Sequence, residues 1–166
     1  LGANPSVPVG MNPIPWIINT YHRSDSNKLS GYLGYYQELV YYELYPGIDL
    51  HFKFQGPDLK YEFHIDGGSD PGLINAYVEG HEMMELSESG DLIISHMGGN
   101  LRDVGLVTYY QDNPDFHIDS GFRINSANSY GFDIDEYEKD RAIIIDPVIR
   151  SSIIGGTGTE TAHDVI

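Results

Sequence analysis

Residues 48–65 read IDLHFKFQGPDLKYEFHI, and this stretch decides the fold class. Apolar and polar residues alternate on both sides of a Gly-Pro-Asp turn, which predicts two antiparallel strands with one buried face. The inward positions are Ile48, Leu50, Phe52, Phe54, Leu59, Tyr61, Phe63 and Ile65. The outward positions are Asp49, His51, Lys53, Lys60, Glu62 and His64. The hairpin therefore predicts a sheet with a core on one face and a charged surface on the other.

The same two-residue period recurs along the chain, whereas no stretch keeps the 3.6-residue period of an amphipathic helix. Further strands are predicted at residues 16–21, 35–44, 76–79, 83–86, 92–96, 106–110, 116–124, 130–134 and 142–145. One helical turn is expected at Asp70-Pro71. Together these features predict an all-β fold, an antiparallel β-sandwich of many short strands with extended N- and C-terminal segments. The expected divisions are residues 1–15 (extended segment), 16–147 (sandwich) and 148–166 (C-terminal β segment).

Composition narrows the classes of partner. The 166 residues carry a formal net charge of −16, which repels nucleic acid and anionic lipid. No run of about 18 apolar residues is present to span a membrane. Cysteine is absent, which excludes a disulfide scaffold. The opening LGANPSVPVG has no initiator Met or apolar targeting segment, as expected either of a mature product whose targeting segment has been removed or of a shortened piece of a longer chain.

Both terminal segments are candidates for strand pairing outside the domain. Residues 143–166 read IIIDPVIRSSIIGGTGTETAHDVI, an apolar strand followed by a second apolar run and a glycine-threonine turn. A segment of this kind either continues into a larger protein or pairs with the sheet of another molecule. The predicted donor residues are Val148, Ile149, Ile153 and Ile154 at the C-terminal end and Val7, Val9, Ile14 and Trp16 at the N-terminal end.

No catalytic signature is present: the sequence has no HExxH, GxSxG or P-loop motif. His51 and His64 are expected to be cross-strand neighbours, either as a solvated pair or as two ligands of a shared metal. Two acidic stretches, QDNPDF and FDIDEYEKDR, are candidates for calcium, although solvated edges have the same composition. The candidate calcium ligands are Asp112, Asp115, Asp133, Asp135 and Glu136. No cofactor is required by these patterns, and a glycosidase carboxylate pair is the weakest interpretation.

The chain has 13 tyrosines, many of them in strand-like runs. In residues 35–44 both strand faces carry aromatics, so this strand is expected to be covered on two sides. Tyr35, Tyr41, Tyr109 and Tyr110 could form a platform for sugar rings. The alternative is that tyrosine serves as a large β-former at half-buried positions and subunit contacts.

Four stretches carry a family resemblance: ELYPGIDLHFKF, LKYEFHIDGGSDPGLINAYVEG, SGDLIISHMGGNLRD and the closing AIIIDPVIRSSIIGGTGTETAHDVI. Across residues 12–166 the chain resembles an uncharacterised all-β domain found near the N-terminus of large secreted bacterial and archaeal proteins. In those proteins the domain is followed by β-propeller repeats of the SBBP type. Gly155, Gly156, Gly158 and Ala162 look like the start of the first repeat, with Glu160 where Asp is more usual.

The resemblance implies an extracellular or surface location and a modular structural role, and it supplies no catalytic residue. We therefore expect a non-enzymatic extracellular structural module that assembles by β-strand pairing. Its partners would be copies of itself, joined head to tail in a filament or surface layer, or further domains of the same surface protein. A glycan- or surface-polymer-binding module is the alternative function.

Overall fold

A computed structural model of the chain describes residues 2–21, 29–56 and 58–153. Within these ranges the chain is built from β-strands and one short 3-10 turn at Pro71–Leu73. The strands are β1 (Val9–Tyr21), β2 (Leu29–Tyr45), β3 (Ile48–Gln55), β4 (Asp58–Ile65), β5 (Ala76–Tyr77), β6 (Met83–Leu86), β7 (Leu92–His96), β8 (Gly99–Tyr110), β9 (Asn113–Ile118), β10 (Ser120–Ser126), β11 (Ser129–Ile134) and β12 (Ile143–Ile153). No helix in the described ranges is long and apolar enough to cross a membrane.

The strands form two antiparallel sheets. The main sheet has nine strands in the order β1-β2-β3-β4-β12-β8-β7-β6, with β9 paired to the end of β8. The small sheet has three strands in the order β10-β11-β5. Apolar side chains of both sheets meet in one core, where the rings of Phe63 and Phe132 lie 5.7 Å apart. The predicted all-β sandwich is thus confirmed.

The hairpin at residues 48–65 is confirmed in its register, from Ile48 opposite Ile65 to Gln55 opposite Asp58. Ile48, Tyr61, Phe63 and Ile65 are buried as predicted. The inward assignment of Phe54 is wrong, because this side chain is 71% exposed. Phe54 lies near the turn end of the hairpin, beyond the part of β3 that packs against the core.

The outward assignment of Glu62 is confirmed, but this residue is only 3% exposed, which the strand alternation did not predict. Its side chain lies on the face of the main sheet opposite the core, between Tyr61 and Phe63 in the strand alternation. Long neighbouring side chains cover it there, so the strand period gives the face correctly but not the burial.

Other predicted elements vary in accuracy. The strands at residues 83–86 and 92–96 are confirmed at both ends. The helical turn is confirmed, with the Asp70 carboxylate accepting a hydrogen bond from the Gly72 amide. The strand predicted at 116–124 is in fact two strands, β9 and β10.

The ends of the predicted sandwich fall inside strands. β1 begins at Val9, within the segment expected to be extended, and residues 2–8 precede it without strand pairing. β12 runs through Pro147, so the predicted division at residues 147 and 148 lies inside this strand. β12 occupies the middle of the main sheet, between β4 and β8.

Candidate functional site

The edge of the main sheet at β1 is the first candidate site. β1 pairs only with β2 along its described length, so its other side presents backbone N–H and C=O groups without a strand partner. Pro13 and Pro15 lie in this strand, and proline is tolerated at a sheet edge because it cannot donate to a ladder. Residues 16–21 form a proline-free stretch of the same strand. This stretch is the part of the edge best suited to accept another strand.

Apolar side chains are exposed on both faces of the main sheet near its β1 end. Strand alternation places Tyr35, Leu39 and Phe54 on the face that carries the core and Val9, Tyr36 and Tyr42 on the opposite face, and we call the whole group the β1–β3 patch. It comprises Val7, Val9, Tyr35, Tyr36, Leu39, Tyr42 and Phe54. The expectation that residues 35–44 are covered on two sides is wrong for the four members in β2, which are exposed. The patch accounts for half of the exposed large apolar side chains in the described residues.

The N-terminal donor candidates lie against their own chain. The Asn4 amide donates a hydrogen bond to the Leu44 carbonyl (2.7 Å), and the Ser6 hydroxyl donates to the Tyr42 carbonyl (3.1 Å). Within β1, Val9 is paired with Val40 and Ile14 with Tyr35. Trp16 lies in β1, and Val7 precedes the strand with its side chain exposed. These residues therefore line an open sheet edge rather than a free arm.

The C-terminal donor candidates are held inside the main sheet. Val148 is paired with Lys60 of β4 and Val104 of β8, and Ile149 is paired with Leu59 and Asp103. Ile153 is paired with Gly99, and Ile154 lies outside the described residues. A strand that is hydrogen-bonded on both sides has no edge to offer, so in this fold Val148 and Ile149 are not available for donation.

A cluster of charged side chains occupies the face of the main sheet opposite the core. We call it the outer-face cluster, and it consists of Glu38, His51, Lys53, Lys60, Glu62, His64 and Asp146. Glu62 is its centre: its carboxylate lies 2.7 Å from Lys53 Nζ, 3.3 Å from Lys60 Nζ and 3.0 Å from His64 Nε2. Lys60 Nζ also lies 2.6 Å from Asp146 Oδ2, which links β4 to β12.

Burial and charge act in opposite directions on the pKa of Glu62. Burial alone would raise it, but the hydrogen bonds from His64 and Lys53 and the charges of Lys53 and Lys60 lower this pKa to about 2. The pKa of Asp146 is raised, because burial and the charge of Glu62 outweigh the contact with Lys60. Within the cluster, the pKa of Glu62 is therefore lowered whereas that of Asp146 is raised.

His51 and His64 are cross-strand neighbours, as expected from the sequence. Their rings stack with centroids 3.9 Å apart. Each ring has its own acid, since His51 Nδ1 lies 2.7 Å from Glu38 and His64 Nε2 lies 3.0 Å from Glu62. Among the described residues, no three His, Asp or Glu side chains converge in the way a metal ion requires.

The candidate calcium ligands lie in two places. Asp112 pairs with Arg141 at 2.6 Å, and Asp133 pairs with Arg123 at 2.8 Å. Asp135 and Glu136 lie where two neighbouring clefts of about 450 and 520 Å³ meet, and Asp115 is exposed in β9. Two of the five carboxylates are thus neutralised by arginine, and calcium binding stays a prediction.

The predicted sugar platform is not formed as a single surface. Tyr110 is buried, with the Arg141 guanidinium 3.7 Å from its ring centre. Tyr35 lies in β2, and three strands separate β2 from the β8 strand of Tyr109 and Tyr110. These tyrosines therefore do not form the platform considered from the sequence, because a shared residue type says nothing about strand order.

A second polar cluster, which the sequence did not predict, lies inside the core around Asp103. Asp103 is 2% exposed, and its Oδ2 accepts a hydrogen bond from the Tyr61 hydroxyl, which lies 3.2 Å from that of Tyr130. In the described part of the chain no group hydrogen-bonds Asp103 Oδ1. Burial, with the charge of Asp91, raises the pKa of Asp103 to about 7 against the effect of the Tyr61 hydrogen bond.

The sequence held a signal for the outer-face cluster but not for Asp103. The outward positions of the hairpin carry opposite charges on facing strands, so pairing His51 with Glu62 predicts a network. Asp103 directly follows Arg102 at the end of the stretch SGDLIISHMGGNLRD, and an acidic residue in that context is expected on the protein surface. Only the tertiary contact with Tyr61 and Tyr130 reveals its position.

Comparison with known proteins assigns the chain to a family of uncharacterised domains. The model of a domain of unknown function, DUF7948, matches residues 1–148 of the 166-residue chain. No curated protein and no solved structure matches the chain. Since the family model covers well over half of the sequence, this protein belongs to the DUF7948 family of domains of unknown function.

Proposed function

We propose that this domain is a non-enzymatic extracellular structural module that assembles by β-strand pairing at the β1 edge. The observation that carries the proposal is the coincidence of an open edge strand with the β1–β3 patch. An added strand along residues 16–21 would satisfy free backbone groups of β1. The patch lies beside the preceding part of β1, where Val9 to Ile14 pair with Val40 to Tyr35, so a contact that extends along the whole edge would also bury these apolar side chains. The partner is a second copy or a neighbouring domain of the same surface protein.

The extracellular location and the position before SBBP-type repeats rest on the sequence resemblance. The strongly acidic composition is compatible with a solvated surface protein. Within such a protein, a sheet edge beside an apolar patch would join successive modules into a continuous structure.

The test is the size of the purified full chain, by size-exclusion chromatography with light scattering and by electron microscopy. We expect oligomers or fibres whose abundance rises with concentration. Phe54→Ser should weaken association, because Phe54 belongs to the patch and contributes little to the core. Met97→Ser is the matched control, since Met97 is 94% exposed but lies in the β7–β8 turn, away from β1.

Hydrogen exchange identifies the edge that is used. On assembly, amides at residues 16–21 should become protected. Protection of β1 alone would indicate a closed dimer through two β1 edges, and additional protection of β6 at the opposite edge would indicate a head-to-tail chain. A chain that stays monomeric at all accessible concentrations, or protection confined to β6, would contradict the proposal.

Glycan binding is a second candidate function, favoured by two exposed tyrosines. Tyr36 and Tyr42 lie on β2 with their rings accessible, as a sugar-stacking surface requires. Retention of the chain on an insoluble polysaccharide, and its loss in Tyr42→Ala, would support this function. Equal retention of Tyr42→Ala and the unaltered chain would argue against it.

A further inference from the structure

Lys60 and Asp146 form a close and largely buried ion pair, unlike the solvent-exposed pairs usual on a protein surface. They lie on adjacent antiparallel strands. Lys60 of β4 is paired with Val148 of β12, and Asp146 lies two residues before Val148. The amine nitrogen is 2.6 Å from Asp146 Oδ2 and 3.3 Å from Glu62 Oε1. The side chains of both Lys60 and Asp146 are largely buried. Three reactive groups therefore meet at one point on the sheet.

The Asp146 carboxylate is satisfied on one side only. Oδ2 contacts Lys60, whereas Oδ1 is buried and has no hydrogen-bond partner in the described residues. A buried carboxylate with an unmatched oxygen is costly to keep ionised. Conversion to an amide would remove the charge of both partners and leave one neutral carbonyl in place of the carboxylate.

We propose that Lys60 and Asp146 condense into an intramolecular isopeptide bond, with Glu62 as the group that relays the proton. The ammonium of Lys60 first gives a proton to the Asp146 carboxylate, which produces a free amine beside a carboxylic acid. The amine nitrogen attacks Cγ of Asp146 and a Cγ–Nζ bond forms. Glu62 takes a proton from that nitrogen and returns it to the departing hydroxyl, so the Cγ–O bond breaks and one water leaves.

The condensation of Lys60 with Asp146 consumes no further reactant. An ammonium and a carboxylate become an amide and water, and no electron is gained or lost. Glu62 begins and ends as a carboxylate, held in place by Lys53 and His64 while it carries the proton. The reaction therefore needs only the folded chain.

The surroundings make the acid form of Asp146, which is the electrophile, easier to reach than it is for an exposed aspartate. Burial, with the charge of Glu62, raises the pKa of Asp146 although Lys60 lies beside it. The charges of Asp146 and Glu62 also raise the pKa of Lys60 against the effect of burial, so proton transfer within the pair is the demanding step. Tyr109 lies within the field of the same groups, since Glu62 and Asp146 both raise its pKa after burial.

This cross-link is independent of the proposed assembly. It would join β4 to β12 by a covalent bond in the middle of the main sheet. A domain that carries tension along its strands would gain resistance to unfolding there, whether or not it pairs with another copy.

The test is the intact mass of the purified full chain under denaturing conditions. We expect a mass lower than the sequence mass by one water, and a fragment in which peptides containing Lys60 and Asp146 are joined. Asp146→Asn should still react, with the loss of one ammonia instead of one water. Lys60→Arg should retain the full sequence mass, because it keeps the charge and removes the nucleophilic amine.

Two further variants define the roles. Glu62→Gln should leave most of the chain unreacted, whereas Lys139→Arg should react fully, because Lys139 is an exposed lysine outside the outer-face cluster. Each variant is checked for folding by circular dichroism. The full sequence mass in the folded native chain after prolonged incubation would overturn the proposal, as would a water loss confined to one linear peptide.

Discussion

Two buried carboxylates, Asp103 and Glu62, are treated in opposite ways by the sheet that holds them. Asp103 lies on the core face with two tyrosine hydroxyls near it and no cation against its carboxylate among the contacts described. Glu62 lies on the opposite face among two lysines and a histidine. Burial is common to both, so the neighbouring charges decide which carboxylate stays ionised.

The pKa of Asp103 predicts a loss of stability as the pH rises. Its folded-state value of about 7 lies above the ordinary 3.8, so the folded chain binds the proton more tightly than the unfolded chain. The free energy of unfolding should therefore fall between about pH 4 and pH 7, by roughly 2–4 kcal/mol from this group. Asp103→Asn should remove most of that fall in urea unfolding at pH 5 and pH 8. Asp115→Asn, in the exposed β9 carboxylate, is the control, and an unchanged pH profile in Asp103→Asn would contradict the assignment.

The pKa of Glu62 predicts the opposite trend at lower pH. Its folded-state value of about 2 lies below the ordinary 4.5, so its contribution is present above that value and is lost as the pH falls toward 2. Glu62→Gln should lower the free energy of unfolding by about 1–3 kcal/mol at pH 6, because it leaves lysines without their counter-charge. The difference from the unaltered chain should shrink between pH 4.5 and pH 2 in thermal unfolding. A difference that stays constant over this range would show that Glu62 acts through packing alone.

At the scale of single elements, the turn at Pro46-Gly47 depends on glycine more strongly than the turn at Gly56. Both glycines have positive φ, +67° and +63°. A Cβ on Gly47 would overlap Ser69 Oγ, whereas a Cβ on Gly56 would meet open space.

Gly47→Ala and Gly56→Ala therefore form a matched pair. Gly56→Ala should cost about 1–2 kcal/mol of unfolding free energy, from the left-handed backbone alone. Gly47→Ala should cost about 1 kcal/mol more, because Ser69 has to move as well. Urea unfolding at one pH measures both, and equal losses would show that the contact with Ser69 is soft.

The sequence predicted those elements best whose partner is a neighbour along the chain. The β3–β4 hairpin, β6 and β7 have short connections, so alternation and turn residues define them. The extent of β12 could not be predicted, because its partners β4 and β8 lie far away in sequence. Likewise, the first part of β1 was not predicted as strand because it contains Pro13 and Pro15. Proline is tolerated there only because β1 lies at the edge of the sheet.

The candidate site was likewise predictable only where its residues are neighbours along the chain. The face occupied by His51 and Glu62 was predictable from alternation, but the contact with Asp146 required knowledge that β12 lies beside β4. The patch residues in β2 and β3 were predicted to be strand residues, whereas their exposure follows from how far the core extends.

For the whole molecule, the net charge of −16 should oppose self-association at low ionic strength. Salt screens this repulsion, with a Debye length of about 10 Å at 0.1 M. Association through an apolar patch and backbone hydrogen bonds should therefore strengthen as sodium chloride is raised. Sedimentation velocity at low and moderate salt measures this trend. Weaker association at higher salt would instead indicate that ion pairs hold the copies together.

The place of β12 has a consequence for the order of events during synthesis. β12 follows every other described strand along the chain, yet it fills the gap between β4 and β8. From the completion of β8 at Tyr110 until residues 143–153 have been produced, the sides of β4 and β8 that β12 will pair with have no strand partner. The nascent chain thus passes through a period in which two long strand edges face each other across an unfilled slot, and insertion of β12 ends its exposure to aggregation.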